Sequence, residues 1–272
     1  MLRDITLGQY YNADSVIHKL DPRTKIVGTF VFIISLFIFR SFLATAVAAI
    51  FLISMIKLSK VPFSYMVRGM KSIVFILLIT VIFNLFLTPG IPVFTIWNFS
   101  ITDEGLKIAI FTAIRLVFLI IGSSLMTLTT TPNNLTDGLE SLMSPLKIFR
   151  VPVHEVAMMM SIALRFIPIL MEETDKIMKA QEARGADFES GNILERAKAL
   201  IPILVPLFVS AFRRANDLAM AMEARCYRGG EGRTKMKPLS YNRRDYVAYG
   251  VFALYIALII AAGIIGSKLL PF

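Results

Sequence analysis

A chain of 272 residues that is 56% hydrophobic, with a mean hydropathy of +0.68, is too apolar for an ordinary soluble domain and is expected to be a polytopic membrane protein. Its one cysteine, Cys226, excludes an internal disulfide, and His18 and His154 are too isolated to suggest a metal site, so no metal and no cofactor are expected. A formal charge of +10 suits nucleic acid or a cytoplasmic membrane face, and its distribution along the chain selects the second.

The first two dozen residues are polar and lack the apolar centre of a cleaved signal peptide, so the mature chain is expected to begin at Met1. Asp21 and Pro22 suit the cap and first position of a helix leading into the apolar run from Ile26 to Phe39. A second run, Phe42 to Ile56, follows almost directly, which predicts a tight antiparallel helix pair. Lys57, Lys60, Arg68 and Lys71 then fill what reads as a basic cytoplasmic connection containing Pro62.

The third span is expected from about Ser72 to Leu87, ending at Thr88-Pro89-Gly90. The loop from Pro89 to Leu106 has no Lys or Arg, whereas the leader and the 57 to 71 connection are basic. The positive-inside rule therefore places the N-terminus in the cytoplasm and this loop outside, with Trp97 as an interfacial anchor. The fourth span, Leu106 to Leu128, contains Arg115, an intramembrane cation that either binds a solute or fixes one helix against another, for instance through Asn84.

After Thr129-Thr130-Thr131-Pro132 the texture changes. About 17 of the 29 basic and about 14 of the 19 acidic residues lie between Thr131 and Asp245, which marks residues 131–245 as a cytoplasmic helical region following a membrane region of four spans over residues 1–130. Pro132, Pro145 and Pro152 divide its start into short helices. A long helix then runs from His154 toward Arg184. Leu200 to Phe212 is too short to cross a bilayer and too apolar to face water, so a partner, a neighbouring helix or the membrane interface is expected to cover it. Tyr246 to Ile265, within residues 246–272, is the fifth span, and the fold class is all-α.

Within the cytoplasmic region one device occurs twice. Ile-Pro-Ile-Leu at 167 to 170 is followed by Gln181-Glu182-Ala183-Arg184-Gly185, and Ile-Pro-Ile-Leu at 201 to 204 by Met222-Glu223-Ala224-Arg225-Cys226. Leu170, Thr174, Ile177, Gln181 and Arg184 share one helix face, as do Ala211, Ala215, Leu218, Met222 and Arg225, so each Arg ends a mostly apolar stripe. One such Arg reads as a helix end complementing the macrodipole, with Gly185 or Gly229 as cap. Two favour paired docking.

The hydrolytic motifs are missing: there is no phosphate-binding Gly-x-x-x-x-Gly-Lys-Ser/Thr loop, no Gly-x-Ser-x-Gly elbow and no His-Glu-x-x-His. Glu172 and Glu173 read as surface charge, and the spans hold few polar groups with which to bind a solute.

Leu20-Asp21-Pro22-Arg23-Thr24-Lys25, Thr129 to Pro132, Leu164-Arg165-Phe166-Ile167-Pro168, Gln181 to Gly185, Glu223 to Tyr227 and Arg233-Thr234 together resemble the transmembrane T component of energy-coupling factor transporters, prokaryotic importers of vitamins and metal ions. The resemblance covers nearly the whole chain. It implies a non-enzymatic subunit of the cell membrane, bound by two ATPases of the ABC type and holding a separate membrane-embedded S component that carries the substrate. It also implies that Ala183, Arg184, Gly185 and Ala224, Arg225, Cys226 are the ATPase-docking positions, with Cys226 departing from the usual Gly or Ser. Ile203, Leu204, Leu207 and Phe208 are then expected to contact the S component. A self-sufficient permease binding its solute near Arg115 and Asn84, and a membrane enzyme using Glu172 or Glu173, remain the alternatives at this point.

Overall fold

The structure, a computed structural model, describes residues 10–38, 41–89, 92–96, 99–188, 192–230 and 236–269. The chain divides into two compact units. One comprises Gly8–Leu139 with Leu239–Phe272, and the other is built mainly from Glu140–Pro238.

The first unit is a helical bundle. α1 (Pro22–Ile38) begins where the sequence places it, with the Asp21 carboxylate accepting the Arg23 N–H at 2.9 Å. α2 (Phe42–Ser59) is capped by Ser41 and closed by Lys60 at φ 56°. α3 (Phe63–Leu87) starts directly after Pro62, so the expected basic connection of residues 57 to 71 shrinks to three residues, with Lys57 in the last turn of α2 and Arg68 and Lys71 within α3. The reason is local: Pro62 is pre-set for an extended position before a helix, and the residues after it continue the α3 pattern.

α4 (Asp103–Thr129) pairs with α3, and α9 (Arg243–Leu269) packs on α1 and α2. Small residues bring these helices close. Ala44 and Ala48 are buried, while a Cβ at Gly122 would lie 2.8 Å from the Phe32 ring. Phe51 stacks on Tyr255 with ring centroids 4.2 Å apart, and the Tyr255 hydroxyl meets Ser35 Oγ at 2.7 Å, so this buried pair of hydroxyls is satisfied within the bundle. The opposite faces carry exposed Phe30, Ile34, Phe37 and Ile50, as a lipid-facing surface should.

Between α3 and α4, where a plain loop is expected, the chain forms an antiparallel ribbon, β1 (Pro92–Ile96) with β2 (Phe99–Thr102), pairing Phe94 with Ile101 and Ile96 with Phe99. Trp97 lies outside the described residues. The Thr102 hydroxyl joins the two helix ends, accepting from Gly105 N–H and donating to the Thr88 carbonyl, each at 3.0 Å.

Four described helices are long and apolar enough to cross a membrane: α2, α4, α9 and α6 (Val153–Glu182). The five expected spans correspond to α1 to α4 and α9, but α1 has only 17 residues and the apolar part of α3 is confined to Ile73–Leu87. α6 meets the same measure because its first half is nearly free of charge. Its second half carries Glu172, Glu173, Asp175, Lys176, Lys179 and Glu182.

In the second unit a 3-10 segment (Ser144–Phe149) follows α5 (Pro132–Met143) and precedes α6, as the three prolines suggest. α7 (Ile193–Ala199) then leads into α8 (Ile201–Ala224). The two Ile-Pro-Ile-Leu tetrapeptides are not equivalent. Pro168 lies inside α6, whereas Pro202 sits in the first turn of α8, where its missing N–H leaves no bond unmade.

Candidate functional site

α6 and α8 run antiparallel. The Gln181 side chain donates to the Pro202 carbonyl at 3.4 Å, while further along Glu173 accepts from Ser210 Oγ at 2.8 Å and from the Arg214 guanidinium. Residue numbers fall along α6 as they rise along α8, and Ile162, Phe166 and Leu170 face Leu218 and Met222 across a groove of ≈ 290 Å³. Antiparallel packing puts the two arginine-bearing ends at opposite ends of the pair. At 1.5 Å per residue, Arg184 and Arg225 stand roughly 35 Å apart along α6.

The two ends have the same backbone form. Arg184 N–H bonds to the Gln181 carbonyl at 3.0 Å, and Arg225 N–H to Met222 at 3.1 Å. Gly185 and Cys226 close on Glu182 and Glu223, and Ala186 and Tyr227 reach back five residues to Gln181 and Met222, each at 3.0 Å. This is the Schellman ending, which requires a left-handed residue at its turn. Gly185 supplies it at φ 88° and Cys226 at φ 56°. Gly229, expected as a cap of the second helix, is also left-handed but lies three residues beyond the turn, so it does not cap α8. A side chain in that region costs about 1–2 kcal/mol, which Cys226 bears and Gly185 does not.

Ala183, Arg184 and Gly185, and likewise Ala224, Arg225 and Cys226, are all exposed. Neither guanidinium has a hydrogen-bonding or ionic partner among the described residues. Each sits where backbone carbonyls end, so the helix dipole favours its charge and leaves its five donors free for a second molecule. Behind the second tip, Gly230 packs on the His154 ring, where a Cβ would come within 2.4 Å, and His154 Nδ1 meets Glu140 at 3.0 Å. The loop after Arg225 is thereby tied to the start of α6.

The other candidate residues separate. Ile203 is only 4% exposed and is covered by the chain itself, whereas Leu204 and Phe208 are open and Leu207 is half-buried. The helical period explains this, since Leu204 and Phe208 share a face that Ile203 does not. Glu173 braces α6 against α8, while its neighbour Glu172 is exposed. Asn84 donates to the Thr80 carbonyl of its own helix, and Arg115 lies 5.7 Å from the Phe37 ring beside a cleft of ≈ 10 Å³. That cleft has room for about one water molecule.

A family model described as CbiQ, a cobalt transport protein, matches residues 13–236, from the leader to the segment after the second tip. The chain is 58% identical over 251 residues to the energy-coupling factor transporter transmembrane protein EcfT of Clostridium kluyveri, covering 91% of this chain and 93% of that protein. The proteins of the same name from Thermosediminibacter oceani and Bacillus subtilis are 55% and 50% identical over 248 and 246 residues, covering 91% and 90% of this chain and 94% and 93% of those proteins. The chain belongs to the EcfT family of energy-coupling factor transmembrane proteins. The family match takes in both tips, and with them the whole α6–α8 pair. Membership makes the chain a transmembrane component of a transporter, in keeping with its apolar helices.

Proposed function

We propose that this chain is the coupling subunit of its transporter, gripping two ABC-type ATPases through Arg184 and Arg225 and passing their ATP-driven motion to a membrane-embedded S component that carries a vitamin or metal ion. The observation that supports this best is the pair of exposed guanidinium groups, held in one backbone geometry at opposite ends of two antiparallel helices. Two similar tips roughly 35 Å apart suit two similar subunits, one at each end. A single small ligand could not touch both.

In this reading α1 to α4 and α9 lie in the membrane of a prokaryotic cell with the N-terminus cytoplasmic, and residues 131–245 form the cytoplasmic coupling region. α6 stays with α8 outside the bilayer despite its apolar first half. Glu173 ties it to Ser210 and Arg214, so a membrane-crossing α6 would carry the charges of α8 into lipid at several kcal/mol each. The exposed apolar face of α8, including Leu204, Phe208 and Phe212, is the surface offered to the S component. ATP binding draws the ATPases together, tilts the docked helices as levers, and turns the S component to release its cargo. The chain itself contributes no chemistry.

Uptake by proteoliposomes tests this. The chain alone should import nothing, and import should appear only when the ATPases and the S component are added. Import by the chain alone would establish a permease in its place.

A further inference from the structure

The Leu20 to Lys25 motif has no part in the proposed docking, yet it belongs to a heavily bonded polar cluster in the first unit. Asp245, fully buried, accepts the backbone N–H of Asp21 at 2.8 Å on one carboxylate oxygen and that of Asn242 at 2.8 Å on the other. Asp21 caps α1 and Asn242 immediately precedes α9, so a single carboxylate closes the N-terminal ends of both helices. Asp21 is also buried, and its own carboxylate binds Arg23 through Nε and a terminal nitrogen at 3.0 Å each. The Arg23 guanidinium in turn lies 3.9 Å from the centre of the Tyr241 ring.

Lys25 extends the cluster to α4. It is 8% exposed, and its ammonium donates to the Thr129 carbonyl at 2.8 Å and to the His18 carbonyl at 3.2 Å, while Asp21 and Asp245 offset its charge. Three segments are thus pinned at one point: the start of α1, the end of α4 and the start of α9. The chain leaves the first unit at Leu139, just after α4 and through α5, and returns at Leu239, just before Tyr241 and Asn242. Both passages emerge from this one cluster.

We infer that Asp21, Arg23, Lys25, Tyr241 and Asp245 form an ionic junction that anchors both chain passages leading to the coupling helices, so that movement of those helices reaches the membrane helices as a turn of the bundle. These are positioning residues and touch neither nucleotide nor substrate. The inference rests on the coupling function proposed above. A flexible attachment at either passage would let the levers move without the membrane unit following.

The test is the number of substrate molecules imported per ATP hydrolysed by the purified, reconstituted complex with its ATPases and S component. Lys25→Met and Asp245→Asn should keep ATP hydrolysis within about twofold of the unmodified complex and lower import per ATP at least tenfold, and Lys25→Arg should restore most of it. Reduced protein yield with unchanged import per ATP in the assembled fraction would show that the cluster serves stability alone and would overturn the inference. Should the buried variants fail to assemble, Tyr241→Leu decides, because it takes the ring from over Arg23, together with its contacts to Tyr246 and Tyr249, and alters none of the buried charges. A several-fold drop in import per ATP supports the junction, and an unchanged ratio refutes it. Absence of coupled import in the unmodified complex would instead refute the coupling reading itself.

Discussion

Arg184→Glu combined with Arg225→Glu is expected to abolish ATP-driven uptake while the protein still inserts and folds. Both side chains are exposed and unpaired among the described residues, so the exchange breaks no internal bond. In the docking proposed above each guanidinium would become part of a buried, charge-assisted contact, and removing one partner of such a pair costs about 3–5 kcal/mol. Sites tens of ångströms apart act independently. The double variant therefore weakens docking by roughly four to seven powers of ten, beyond what expression level can compensate, while either single variant leaves one grip intact and reduces uptake without eliminating it. Uptake assays alongside a count of correctly inserted protein separate the two effects. Normal uptake by the double variant would exclude the tips as docking sites.

Gly105→Leu is expected to lower the thermal unfolding midpoint sharply, whereas Gly250→Leu should hardly change it. A Cβ at Gly105 would lie 2.7 Å from Thr102 Oγ1 and 3.1 and 3.2 Å from the backbone carbonyl oxygens of Asn84 and Leu85, whereas at Gly250 nothing stands within 4 Å. Backbone cannot yield as a side-chain tip can. Overpacking costs about 1–3 kcal/mol, and displacing Thr102 forfeits a helix cap of about 1 kcal/mol more, a large part of a typical total stability of about 5–15 kcal/mol. The α3–α4 pair opens first, because Thr102 also ties the start of α4 to Thr88 at the end of α3. Matching midpoints for the two variants would mean that α3 and α4 do not approach this closely.

Helix positions are legible in the sequence wherever a local signal marks an end. Asp21-Pro22 opens α1 and Pro132 opens α5, while the apolar runs set the bodies of α2, α4 and α9. The ribbon between α3 and α4 is missed because its strands of five and four residues are too short to set alternation apart from an apolar loop. Left-handed Cys226 goes unseen for a related reason: glycine is the usual residue there, and Gly229 draws the reading past the true turn. The Asn242-x-x-Asp245 spacing does signal that the Asp245 side chain can cap the start of α9. Nothing local shows that the second oxygen of Asp245 reaches Asp21, 224 positions earlier in the chain.

The candidate site divides in the same way. Each arginine tip is readable from its stripe and its Glu-Ala-Arg, but the antiparallel pairing that sends the tips to opposite ends depends on contacts such as Glu173 with Ser210 and Arg214. The burial of Ile203 beside open Leu204 depends on which face of α8 meets α6, and composition is silent on that. Hydropathy alone would send α6 through the membrane. In the function proposed above it stays outside, bound to α8.

What the two tips touch is the most direct test of the proposed coupling. A photoreactive benzoylphenylalanine placed at Ala183, and separately at Ala224, keeps both arginines and puts a cross-linker on each exposed tip. Irradiation of native membranes should join both positions to nucleotide-binding subunits of an ATPase. Adducts to lipid alone, or to no protein from either position while uptake proceeds normally, would contradict it.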